Sequence, residues 1–130
     1  MSPDTFEIFI PMQPVAKARA RVTKSGYAFT PKKTLQAEHD IKYWIVQEHP
    51  KRFDKETALA LYIEFYFVKP KSAPKNRCFP TTKPDLDNLV KLVCDSMNKI
   101  VYHDDSQIID LYVKKRYSSE EGIQIICRAI

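Results

Sequence analysis

Glycine is nearly absent from this chain. Two occur in 130 residues, Gly26 and Gly122, whereas Walker and GxGxxG loops need several, because their backbone must approach phosphate without a Cβ in the way. Nucleotide cofactors held in those ways are excluded. Cysteine is scarce too: Cys78, Cys94 and Cys127 are odd in number, widely separated and without a CxxC pair. This spacing argues against a disulfide framework or a zinc knuckle and for reduced, structural thiols. No run of about 18 apolar residues is present to span a bilayer, and the start MSPDTFEIFI lacks the basic and long apolar regions of a secretory leader. A cytoplasmic protein with no membrane partner is expected. Repeats and low-complexity tracts are missing as well. With 44% hydrophobic and 28% charged residues, the composition is that of an ordinary globular chain. One domain over residues 1–130 is expected, too short for separate cofactor and substrate domains.

What the chain does have is segregated charge. Its formal net charge is +5, and much of the basic excess falls in two stretches free of acids. The first, PMQPVAKARARVTKSGYAFTPKK, holds Lys17, Arg19, Arg21, Lys24, Lys32 and Lys33. The second, KPKSAPKNRCFPTTK, spaces Lys69, Lys71, Lys75, Arg77 and Lys83 among three prolines, which forbid regular structure over most of its length. It reads as a long exposed loop, and loops of that length are usually functional or disordered. Between Lys83 and Asp110 the balance reverses: KPDLDNLVKLVCDSMNKIVYHDDSQIID carries six aspartates and no glutamate. Phosphate-binding cations around metal-binding carboxylates would account for both features, provided that the fold brings them together.

Periodicity predicts a mixed α+β sheet of about four to five strands with two main helices. FEIFI alternates as a first strand, and GYAF suits a short second one. Thr30 and Pro31 are suited to the N-cap and first position of a helix that stops before Pro50, with Leu35, Ile41, Trp44 and Ile45 on one face and His39 and His49 within it. TALALYIEFYFV reads as a central strand covered on both faces. A second helix from about Asp87 to Lys99 buries Leu89, Val90, Val93 and Met97 and turns Asp87, Lys91, Asp95 and Asn98 outward. QIIDLYVKKRY and IQIICRAI are expected to form a hairpin across the polar turn SSEEG.

Asp85 and Asp87 bracket the start of the second helix, and Asp104 and Asp105 follow its end. A hard divalent cation takes oxygen ligands, and Mg²⁺ in particular takes a few carboxylates, keeps waters and accepts phosphate oxygens. The simpler reading is helix capping, which uses one acid and leaves the others unexplained. The EF-hand template does not fit: counted from Asp85, its glycine position holds Val90 and its glutamate position Ser96. Lys91 lies one turn from Asp87 and one from Asp95. A surface ion pair is its bland role, stabilisation of a phosphate its functional one.

The run KPDLDNLVKLVCDSMN followed by VYHDDSQIID resembles the RusA endonucleases, resolvases of four-way DNA junctions, strongly over residues 83–110 and loosely elsewhere, including the basic PVAKARARVTKSGYAFTPKKT. The resemblance implies that Asp85, Asp87 and Asp105 are metal-binding catalytic carboxylates, that Lys91 is the catalytic lysine and that the protein is a homodimer acting on junction DNA with Mg²⁺. Asn88, Asp95, Asp104 and Gln107 also match the motif, and supporting roles are expected of them: orienting ligands, pairing with Lys91 or capping. Lys17, Arg19, Arg21, Lys71, Lys75 and Arg77 are the expected DNA contacts. Two rival readings remain: a branched-DNA-binding protein without catalysis, and a metal-dependent nuclease acting on flaps, forks or RNA.

Overall fold

A computed structural model describes residues 4–130. Alternating apolar side chains build β1 (Thr5–Ile10), which buries Phe6, Ile8 and Ile10 and exposes Glu7 and Phe9. A two-residue ribbon follows, β2 (Arg21–Val22) against β3 (Ala28–Phe29), turned at Gly26, whose φ of 89° suits a residue without a side chain. Helix α1 (Lys32–Gln47) comes next, then β4 (Leu59–Phe67), α2 (Leu86–Met97), a short 3₁₀ turn (Asp105–Gln107), β5 (Ile108–Tyr117) and β6 (Gly122–Ala129). The main sheet has the order β1-β6-β4-β5; β4 runs parallel to β5, and the other pairings are antiparallel. This is the expected α+β architecture, with two helices, a mixed sheet of four strands and a separate small ribbon.

The core lies between the helices and one face of the sheet. Leu59, Leu61, Ile63 and Phe65 of β4, with Ile123, Ile125 and Cys127 of β6, meet Ile41 and Ile45 of α1 and Leu89, Leu92, Val93 and Met97 of α2. Tyr102, fully buried just beyond α2, donates its hydroxyl to the Cys94 carbonyl at 2.8 Å, so the helix end is tied to the segment that carries the later aspartates. Among the described residues no helix is long and apolar enough to cross a membrane.

Five local expectations are corrected. β5 and β6 do not form a hairpin: both pair with β4, which lies between them. Strand β4 is apolar enough to need a neighbour on each edge, and residues 118–121 step across its end, where Ser118 N–H donates to the Phe67 carbonyl. The α1 N-cap is Pro31 rather than Thr30 and has no side-chain cap bond. His49 falls outside α1 in a left-handed turn with φ of 49°. Within α1 the packed residues are Thr34, Ala37, Ile41 and Ile45, whereas Leu35 and Trp44 are exposed. Finally, β4 is covered by helices on one face only.

Candidate active site

Asp85 is the N-cap of α2, extended at φ −71° and ψ 141°, and makes no side-chain cap bond. Its carboxylate is thus not spent on the helix. Asp87, one residue into the first turn, accepts the Asn88 backbone N–H at 2.9 Å and remains exposed. Both acids sit where the helix dipole and free N–H groups favour negative charge. Lys91 is exposed one turn further on, and it takes part in none of the ion pairs among the described residues.

Asp105 opens the 3₁₀ turn that packs back against this helix. The 3₁₀ turn that carries it is pinned by its neighbours: Asp104 accepts the Ser106 N–H at 3.0 Å, and hydrogen bonding from the Ser106 side chain first and its backbone second holds the exposed Asp104 carboxyl below its ordinary pKa. Gln107 accepts the N–H groups of His103 and Asp104 and donates to the carbonyls of Asp54 and Thr57. These bonds make Asp104 and Gln107 a scaffold that holds Asp105 in place. Burial drives the Cys94 thiol up to about 11; Tyr102 lowers it, nearby Asp105 and Asp95 raise it, and Lys91 lowers it. Asp105 and Lys91 are therefore within electrostatic reach of the same turn of α2.

Asp95 pairs not with Lys91 but with Lys17, at 2.5 Å, and Glu38 of α1 lies 3.9 Å from the same ammonium. The Lys17 N–H donates to the Asn88 carbonyl, and the Ala18 N–H to the Thr34 hydroxyl. The first basic segment is strapped across both helices by these contacts. Beside the strap opens a cleft of about 670 Å³ whose walls include Arg19, Arg21, Lys33, Lys83 and Lys115, together with Asp85 and Asn88. Cations from three separate parts of the chain thus surround the start of α2. Lys71, Lys75 and Arg77 lie on the loop beyond this cleft; Lys71 and Lys75 are exposed and Arg77 is half-buried.

Comparison with known proteins decides the family. Residues 11–128 match the family described as Endodeoxyribonuclease RusA. This chain belongs to the RusA family. It is similar to a crossover junction endodeoxyribonuclease rusA of Lactococcus phage r1t, at 35% identity over 67% of each chain. It also resembles an uncharacterized protein YqaN of Bacillus subtilis (strain 168), at 47% identity over 48% of this chain and 44% of that relative's length. The chain thus aligns with less than half of YqaN.

One RusA residue that the sequence reading passed over is Lys115. It sits on the helix-side face of β5, opposite Phe65, and its ammonium donates to the carbonyls of Thr82 at 2.8 Å and Pro84 at 2.9 Å. The Lys83–Pro84 peptide is cis, and Pro84 immediately precedes Asp85. Lys115 therefore anchors the loop end from which Asp85 projects. Nothing in the strand pattern marks this role, since the contact links positions 31 residues apart.

Among the described residues, no three histidine, cysteine, aspartate or glutamate side chains converge into a group able to hold a metal ion. The donor chemistry nonetheless suits a hard cation: Asp85 and Asp87 offer exposed carboxylate oxygens two residues apart, and Mg²⁺ is usually bound by one or two carboxylates with waters and phosphate supplying the rest.

Proposed function

We propose that this chain is a Mg²⁺-dependent resolvase that cuts four-way DNA junctions by paired, symmetric phosphodiester hydrolysis, serving DNA recombination and repair. The observation that carries the reading is the cleft in which Arg19, Arg21, Lys33, Lys83 and Lys115 surround Asp85. An anionic backbone is drawn into such a cleft and delivered to carboxylates that would otherwise repel it. Asp85 and Asp87 would hold Mg²⁺, with waters and phosphate oxygens completing its shell and Asp105 as the third carboxylate once the separated aspartates close on the ion; the ion would supply an activated water and charge neutralisation at the scissile phosphate. Lys91, one turn from Asp87, presents an ammonium to the negative charge that develops on the phosphate oxygens. Arg19 and Arg21 grip flanking phosphates, which fixes register without reading bases. Two equivalent cuts in a symmetric junction call for two equivalent sites, hence a two-fold homodimer.

The test is cleavage of an end-labelled four-way junction by the purified protein with and without Mg²⁺, with every cut mapped on all four strands. Paired cuts at symmetric positions that require Mg²⁺ are the expected result. The second reading, a junction-binding protein without catalysis, draws on the separation of the three aspartates; binding without cleavage across several divalent metals would support it. Preferential cutting of flaps, forks or RNA would instead mark a nuclease of another specificity.

A further inference from the structure

Tyr27 and Phe79 are the two most exposed aromatic side chains among the described residues, at 74% and 64%. A single exposed ring is ordinary on a protein surface, but these two are not scattered. Each lies in an acid-free basic stretch, Tyr27 between Glu7 and Glu38 and Phe79 between Glu64 and Asp85. Both stretches line the cleft at Asp85, the first through Arg19 and Arg21, the second through Pro80, Thr82 and Lys83. Tyr27 closes the turn of the ribbon whose strand β2 carries Arg21, and Phe79 immediately precedes Pro80. The backbone under each ring is ordered. Thr23 N–H donates to the Tyr27 carbonyl at 2.8 Å, Gly26 N–H to the Thr23 carbonyl at 2.9 Å and Tyr27 N–H to the Thr23 hydroxyl at 3.1 Å. In the second stretch Arg77 N–H donates to the Pro74 carbonyl at 3.0 Å and Thr81 N–H to the Phe79 carbonyl at 2.9 Å. Rings presented on fixed backbone lose little freedom when they are covered by a ligand.

We propose that Tyr27 and Phe79 recognise the branch itself, by stacking on nucleobases left without a stacking neighbour where strands exchange. The inference rests on the resolvase reading and deepens it, naming the part of the DNA that the rims of the cleft take. Cations are enough to hold a duplex, whose phosphates face outward while its bases cover one another. A flat ring gains nothing from a base whose two faces are already covered. It gains from an uncovered base, and that contact tolerates any sequence because every base has a π-face. Exposed rings set among cations, with no acid in either stretch, therefore fit an anionic polymer with bare bases and exceed what duplex binding needs. The placement also serves the chemistry. Rings on the two stretches that line the cleft would bring the exchange point beside Asp85, whereas the phosphate contacts of Arg19 and Arg21 alone are available at every position along a duplex arm.

The test is a fluorescence-anisotropy titration, in Ca²⁺ at one salt concentration, of the full chain and of Tyr27→Leu, Phe79→Leu and Tyr27→Phe. Three labelled DNAs are compared: a four-way junction, the same junction with abasic sites at the exchange point, and a duplex. Thermal melting controls for folding. Each leucine variant is expected to bind the intact junction about tenfold more weakly and the duplex as the wild type does. Tyr27→Phe keeps the ring and should bind like the wild type, a rescue that a role for the hydroxyl would not give. On the abasic junction the wild type and the leucine variants should converge, because the bases on which the rings stack are gone. Equal losses on junction and duplex would overturn the inference and make the rings general DNA contacts. Losses as large on the abasic junction as on the intact one would overturn it too, since the rings would then touch something other than those bases. Junction affinity unchanged in both leucine variants would remove the stacking contact and leave the resolvase reading in place; a loss in one variant alone would strike the other ring from the inference. The resolvase reading is judged separately, by the mapped Mg²⁺-dependent cuts of the wild type.

Discussion

A side chain at the start of α2 has two competing uses, capping the helix or serving the substrate, and Asp85 is free for the second because it makes no cap bond. Asp85→Asn should therefore leave the fold intact and junction binding equal or tighter, since one repulsive charge leaves the cleft. Cleavage should fall by at least about a hundredfold; strand mapping beside a binding titration in Ca²⁺ reads both effects, and cleavage at the wild-type rate would remove Asp85 from the chemistry. Lys115 acts on Asp85 at one remove, by holding the Thr82 and Pro84 carbonyls. Lys115→Met should slow cleavage about 10- to 100-fold, the scale of loss when a reacting group is misplaced by about 1 Å. Amides at the start of α2 should then exchange with deuterium faster, and a lysine that merely touched DNA would not produce that change. Asp85 was visible as a candidate from the DxD spacing alone, but Lys115 was not, because its partners are backbone carbonyls that carry no side-chain signature.

At the scale of elements, β4 shows how a single strand serves two environments. Its odd positions, Leu59 to Phe65, enter the core, while Glu64 faces the other way and is buried by its neighbours' rings. Hydrogen bonds from Tyr62 and then Tyr66 hold the Glu64 carboxyl below its ordinary value of 4.5, against the opposing effect of burial. The same pairing, with burial, pushes the Tyr62 hydroxyl up to about 12. A lowered carboxylate contributes stability that is present above the unfolded pKa and lost as pH falls through the lower folded value. Stability should thus decline below about pH 4.3, and a urea-unfolding series should show a shallower decline there for Glu64→Gln; parallel acid profiles would show that Glu64 is not the linked group. On the alkaline side, Tyr62 contributes stability up to about pH 10 that fades as pH rises through about 12. Strand β4 was legible from its alternation and α2 from its three-and-four spacing, because both patterns are local. Strand pairing was not. SSEEG looks like a hairpin turn at short range, and only the demand of β4 for two neighbours, a tertiary condition, separates β5 from β6.

For the whole molecule, the decisive question is which cations are free to meet DNA once the chain is folded. The sequence offered six basic residues as equals, yet folding separates them by giving one an internal acid. Lys17 has its ammonium 2.5 Å from Asp95 and 3.9 Å from Glu38, whereas Arg19 and Arg21 are exposed on the wall of the cleft. Each cation that neutralises a phosphate releases condensed counterions and adds about 0.9 to the slope of log affinity against log salt for duplex DNA. Arg19→Ala and Arg21→Ala should each flatten that slope by roughly one unit on a four-way junction. Lys17→Met should leave the slope nearly unchanged, because its charge is already balanced inside the fold, and should instead lower thermal stability by loosening the strap across α1 and α2. Fluorescence-anisotropy titrations at four or five salt concentrations measure all three slopes. A full one-unit loss for Lys17→Met, with Arg19→Ala and Arg21→Ala unchanged, would mean that the Lys17–Asp95 pair opens on the junction and that the strap, rather than the cleft wall, carries the phosphate contacts.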